Sequence, residues 1–158
     1  MKNTCPDTMK TTLVCTVGGS PEPVIYGIRQ RRPGRIFFAA TAGTSDSISG
    51  IIAQSGFNGA YDTLLLSDGQ DLSTSAAELR ALIARHSELK TLAERSLLVV
   101  DFTGGTKVMA AAMALAFADL PVNFGYVGGS SRGKNGVGAV TSGAETVFEW
   151  PNPLHTGG

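Results

Sequence analysis

Charge is scarce in this 158-residue sequence. Asp, Glu, Lys and Arg make up only 16% of it, and 13 cations balance 13 anions. A neutral chain of this kind is not a duplex-DNA binder of the strongly basic type. Cysteine is nearly absent: Cys5 and Cys15 alone build no disulfide framework. Cys15 lies in an apolar stretch and reads as a buried free thiol. No run approaches the ~20 apolar residues that a membrane span needs; residues 108–120 are the longest candidate and are too short. Residues 1–10 are polar and lack the apolar core of a signal peptide. These absences lead us to expect a cytoplasmic protein with no membrane partner.

Several chemical signatures are missing as well. A phosphate-binding P-loop needs GxxxxGK[ST]; Gly104-Gly105-Thr106-Lys107 lacks the first glycine and the hydroxyl after the lysine. The dinucleotide fingerprint GxGxxG is replaced, in the first turn, by Gly18-Gly19-Ser20-Pro21. No His, Cys or carboxylate cluster has metal-ligand spacing, and there is no GxSxG elbow. We therefore expect neither metal nor cofactor. His86 lies on the polar part of a helix and His155 in the tail, so neither reads as catalytic.

Apolar residues and glycine are plentiful. Hydrophobic residues make up 42% of the chain, enough for one sizeable core, and there are 20 glycines. Residues 97–109, LLVVDFTGGTKVM, organise the whole. Leu97 to Val100 form a continuous apolar run, as in a strand covered on both faces. Gly104 and Gly105 allow a sharp turn, and a helix follows. A strand feeding a glycine turn into a helix aims N–H groups and the positive helix end outward, which suits an anion such as phosphate.

The same plan opens the chain. Residues 11–17 (TTLVCTV) read as a strand, Gly18-Gly19-Ser20 as a turn, and Pro21 and Pro23 start a short helix over 24–30. Further strands are expected at 35–40, 60–67, 96–101 and 122–127, with a last short one at 146–150, possible as an antiparallel partner. Helices are expected from Thr44 or Ser45 to about Gln54, over 73–85, and over 107–118. Met109, Met113, Ala116, Phe117 and Leu120 fall at helical spacing and read as core or dimer packing. The alternation predicts an α/β, Rossmann-like, open and mostly parallel sheet with helices on both faces, in a single domain. Residues 1–10 read as an N-terminal extension, 11–150 as the ligand-binding domain, and 151–158 as a tail or linker. Ligands bind such sheets at the carboxyl ends of the strands, the edge that the turns after Val17, Asp101 and Val127 are expected to share.

Two motifs in combination carry a family resemblance. Gly18-Gly19-Ser20-Pro21-Glu22-Pro23, paired with Asp101-Phe102-Thr103-Gly104-Gly105-Thr106-Lys107-Val108-Met109, resembles the CARF domains, the CRISPR-associated Rossmann folds that sense cyclic oligoadenylates in type III CRISPR immunity. The resemblance covers roughly residues 11–150. It implies a homodimer with one ring-shaped RNA ligand across the two-fold axis. It also implies allosteric control of an effector, either an attached domain or a partner protein; the sequence ends in a Pro/Gly tail, which leaves an excised sensor domain and a standalone protein both open. The expected ligand-binding set is Gly18, Gly19, Ser20, Pro21, Thr103, Gly104, Gly105, Thr106, Lys107 and Arg132.

The residue chemistry agrees. Glycine N–H groups approach phosphate closely, Lys107 supplies a point charge, and Ser20 and Thr106 can bond phosphate or ribose oxygens. An even-membered ring can share a two-fold axis with an isologous dimer. Each residue also has a plainer reading. Thr106 could merely cap its helix, and Ser20 could cap the one before Pro21. Arg132 and Lys134, in a segment with five glycines over 128–138, are either a solvated loop or a lid. The run Arg29, Arg31, Arg32 and Arg35 reads as a solvated face. Lys107 at a helix N-terminus is electrostatically unfavourable unless an anion binds there. Asp101 would repel phosphate and reads as a brace for the turn. The expected function is a sensor for a cyclic oligoadenylate, cyclic tetra-adenylate first. The alternative is a slow, metal-independent ring nuclease working by 2′-hydroxyl attack.

Overall fold

The computed structural model describes residues 10–129 and 145–155. Among them a six-stranded sheet runs in the order β3-β2-β1-β4-β5-β6. β1 (Thr12–Thr16), β2 (Arg35–Thr41), β3 (Ala60–Leu66), β4 (Leu98–Asp101) and β5 (Asn123–Gly129) are parallel. β6 (Glu145–Pro151) pairs antiparallel with β5, Phe124 opposite Trp150 and Tyr126 opposite Phe148. This is the expected Rossmann-like architecture.

β1 and β4 sit at the centre, and every residue of both is buried. That accounts for their unbroken apolar sequences. Helices α1 (Glu22–Arg31) and α2 (Ile48–Ser55) cover one face, over Leu13, Cys15, Ile36, Phe38 and Val99. Helices α3 (Leu72–Arg85), α4 (Glu88–Glu94) and α5 (Lys107–Ala116) cover the other, over Val14, Phe37, Val100 and Phe124. Alternate strand residues thus serve two separate cores, as the period of a strand requires. None of the described helices is long and apolar enough to cross a membrane.

Local signals set most boundaries. Asp71 caps α3, its side chain accepting from the Thr74 N–H at 2.9 Å. Those bonds hold the Asp71 carboxyl below its ordinary pKa. Gly56 ends α2 in the left-handed region, at φ 75°. Two features escape the sequence pattern. α4 has only seven residues, too few for its apolar pair Leu89 and Ala93 to show a period. The tail read as a linker from residue 151 is packed at its start. Asn152 is buried, and its amide donates to the carbonyls of Ala118 at 3.0 Å and Leu120 at 2.8 Å.

The arginine run also differs from a uniformly solvated face. Arg31 is buried, with its side chain only 5% exposed. It bridges Asp101 at 2.5 Å on β4 and Glu149 at 2.7 Å on β6, and lies against Gly125, where a Cβ would collide with its guanidinium. Burial makes this pair matter and leaves exposed pairs minor. We expect Arg31→Met to cost about 3–5 kcal/mol by stranding Asp101 without its cation. Arg80→Ala, which breaks an exposed pair with Asp119, should cost less than about 0.5 kcal/mol. Urea unfolding of both variants tests the contrast; equal losses would refute it.

Candidate functional site

The strand order reverses between β1 and β4. At such a switch point the connections leave in opposite directions and open a crevice beyond the carboxyl ends of the strands. The turn after β1, with Gly18, Gly19 and Ser20, and the turn after β4, with Thr103, Gly104 and Gly105, meet there. The contact is backbone on backbone. A Cβ on Gly18 would fall on the main chain of Gly105, and one on Gly104 would fall on the carbonyl of Thr16. Gly105 additionally has φ 81°, where a side chain is strained. The motif glycines are thus fixed by close approach of two turns.

Hydrogen bonds lock this contact. The Thr16 hydroxyl, at the end of β1, donates to the Gly104 carbonyl at 2.5 Å. Asp101 braces the turn as expected: its Oδ1 accepts from the Thr103 N–H at 2.8 Å, while Oδ2 faces Arg31. The Thr103 hydroxyl oxygen accepts from the Val127 N–H at 2.7 Å, joining the turn to β5. Thr106 caps α5, accepting from the Met109 N–H at 3.0 Å, and donates its own proton to the Gly69 carbonyl at 2.5 Å. The β3–α3 loop therefore joins the same edge.

Other groups are free to meet a ligand. The Gly104 and Gly105 N–H groups have no protein acceptor among the described residues. Gly19 and Ser20 are exposed, and nothing lies within 4 Å of a Cβ placed on Gly19. Pro21 is the N-cap of α1, with no side-chain cap bond, so Ser20 is not used as the cap. Lys107 is the first residue of α5; it is exposed and makes no salt bridge among the described residues. Arg31 is paired with Asp101, and Lys107 keeps its charge unpaired among the described residues. Arg132 and Lys134 lie outside the described residues.

The edge holds little acid–base chemistry. Cys15 pairs in register with Asp101. Burial pushes its thiol pKa well up, the Asp101 charge adds to this, and Arg31 opposes it. It is a protonated core residue and not a nucleophile. His86 is the C-cap of α3, half-buried, with its ring edge-on to Phe37 at 4.9 Å and its Nδ1 3.4 Å from Glu88. No group of three potential metal ligands occurs among the described residues. What the arrangement offers is donors, a cation and a helix N-terminus: a cradle for phosphate oxygens.

Sequence reading missed four contributors. Thr16 carried a faint signal, a hydroxyl ending an apolar strand. Gly69 lies far from Thr106 in sequence, and nothing local marks its carbonyl as a partner. Arg31 was indistinguishable from the neighbouring arginines. Val127 contributes only a main-chain N–H, which no sequence encodes.

The contact has a direct test. Gly104→Ala should destabilise the fold by about 1–3 kcal/mol, because the methyl meets main chain that no side-chain shift can relieve. Gly19→Ala, facing open space, should cost nothing measurable. Thermal melts of the two variants check this, and equal melting temperatures would contradict the packing described.

No protein-family model matches the chain, and no curated protein matches it in sequence. Solved structures match its fold. Over 75% of this chain, Can2 from Sulfobacillus thermosulfidooxidans, solved in complex with cyclic tetra-adenylate, aligns with a TM-score of 0.61 at 16% identity. Over 75% again, Csm6 from Enterococcus italicus, bound to cyclic hexa-2′-fluoro-hexa-dAMP, aligns with a TM-score of 0.59 at 12% identity. Protein VC1899 from Vibrio cholerae aligns over 74% with a TM-score of 0.57 at 14% identity. The aligned regions cover 32%, 33% and 30% of those three chains, so this chain spans about a third of each. At these identities the likeness is one of fold, the Rossmann-like sheet described above.

Proposed function

We propose that the chain is a cyclic oligoadenylate-binding sensor domain that works as a homodimer in type III CRISPR signalling. The observation that carries this is the paired glycine turn at the β1–β4 switch point, where, among the described residues, the Gly104 and Gly105 N–H groups have no acceptor and Lys107 at the start of α5 has no salt-bridge partner. The fold likeness to Can2 and Csm6, both solved with cyclic adenylate ligands, supports the ligand class. Gly18, Gly19, Ser20 and Pro21 would line one side of the ring, and Thr103, Gly104, Gly105, Thr106 and Lys107 the other. Thr106 would take part through its main chain, since its proton already serves Gly69. Arg132 would complete the set. Cyclic tetra-adenylate is the first ring to test; like any even-membered ring, it has the two-fold symmetry that lets each subunit present the same turns.

A shared ring on an axis parallel to the strands needs the two copies side by side. An uncovered apolar groove between α5 and β6 suits that contact. Phe102, Leu115, Phe124, Trp150 and Leu154 line it, and no charged side chain does. Phe148 and Trp150 stack beside each other on β6 and remain 41% and 47% exposed. A surface free of charge meets its own copy without like-charge repulsion. Closing this face around a ring would move the two subunits relative to each other, and that movement is the signal to an attached or partner effector.

Binding without rapid cleavage is the expected outcome. In-line attack by a ribose 2′-hydroxyl needs no metal, but the described turns supply no general base. The wild-type protein should bind cyclic tetra-adenylate and leave it intact on long incubation. Lys107→Ala should weaken binding by about 10- to 100-fold, the value of a charge-assisted hydrogen bond, without lowering the melting temperature. Trp150→Glu should convert a dimer to a monomer in light scattering. Calorimetry, resolved reaction products and light scattering read these outcomes. A strict monomer with ligand present would refute the homodimer. Unchanged affinity in Lys107→Ala would remove that residue from the site, and opened ring products would favour the nuclease.

A further inference from the structure

The amino-terminal edge of the parallel strands, opposite the glycine turns, carries a second cleft of about 520 Å³ where α1 and α2 end. Lys10, Arg29 and Arg32 line it, with the amides of Gln30 and Asn58 and the ring of Phe57. No carboxylate lines it among the described residues. Arg31, Arg35 and Arg80 all face carboxylates elsewhere in the fold. Lys10, Arg29 and Arg32 form no salt bridge among the described residues; Arg29 donates one N–H to the Gln54 carbonyl at 2.5 Å. In a chain of zero net charge, three cations around one cleft, with no salt bridge among the described residues, give that cleft a positive charge.

The backbone supplies an independent observation. Both helices end in the left-handed region at this cleft. α2 does so with Gly56 at φ 75°, the residue such a position favours. α1 does so with Arg32 at φ 49° and ψ 56°. Glycine would fill that position without strain, so the guanidinium is retained at a conformational cost. Helix-end carbonyls favour cations in the last turns, which accounts for the sign of the charge. It does not account for an arginine in place of glycine.

We propose that this cleft is a second anion site, distinct from the glycine-turn edge, for a single nucleotide carrying a polyphosphate. The cations take the phosphates, and the half-buried Phe57 offers a wall for the base. The volume suits a small molecule and not a polymer. The glycine-turn reading is not needed for this assignment.

Calorimetric titration of the full chain with ATP and with inorganic triphosphate tests it. ATP should bind the wild type, and triphosphate alone should bind several-fold more weakly. Arg32→Gly should lower ATP affinity by about tenfold, the loss of one charge-assisted contact, while raising the melting temperature by relieving the left-handed arginine. Arg29→Ala should lower affinity as well. Lys107→Ala, at the far edge, should leave ATP affinity as in the wild type. The assignment is overturned by absence of ATP binding, by ATP affinity unchanged in Arg32→Gly, or by ATP binding lost in Lys107→Ala. Triphosphate binding as tightly as ATP would overturn the nucleotide as the ligand.

Discussion

The fold depends on the closeness with which two turns meet at the top of the central strand pair. Gly18 rests on the main chain of Gly105, and Gly104 on the carbonyl of Thr16. Side chains at either position would hold the turns apart and unseat the first residues of α1 and α5. Four side-chain hydrogen bonds gather around this contact: Thr16 to Gly104, Thr103 to Asp101, Val127 to Thr103, and Thr106 to Gly69. The Gly104 and Gly105 N–H groups keep no protein acceptor among the described residues. An edge built in this way is rigid before any ligand arrives, which lowers the ordering cost of binding.

Electrostatics at the edge is arranged by subtraction. An acidic residue ending β4 ought to repel phosphate, yet Asp101 is needed to hold Thr103. Burying Arg31 against it offsets that charge, though the guanidinium is shared with Glu149, and keeps the brace. Gly125 makes room for the guanidinium, and Glu149 takes its other side. Lys107 itself makes no salt bridge among the described residues.

The sequence reveals much of this because strand burial and glycine turns leave direct marks. The central strands are buried on both faces, so β1 and β4 read as apolar runs, and the helix after each is announced by proline or by a capping threonine. Gly18, Gly104 and Gly105 were visible as turn residues. The reason they are glycine was not, since it lies in a contact between segments over 80 residues apart. Thr106 and Asp101 show the same limit. Each has a plain local role that the sequence suggested, and each has a distant partner, Gly69 or Arg31, that only the folded chain discloses. α4 is short and stabilised by burial of Leu89 and Ala93; helices of that length owe little to their own sequence.

The bridge from Asp101 through Arg31 to Glu149 has a mechanical consequence. It ties the end of β4, the last turn of α1 and the outermost strand of the sheet into one truss. Its joints are charge-assisted bonds, so the rim at Thr103, held by Asp101, and the flank at β6 share one continuous connection across half the sheet.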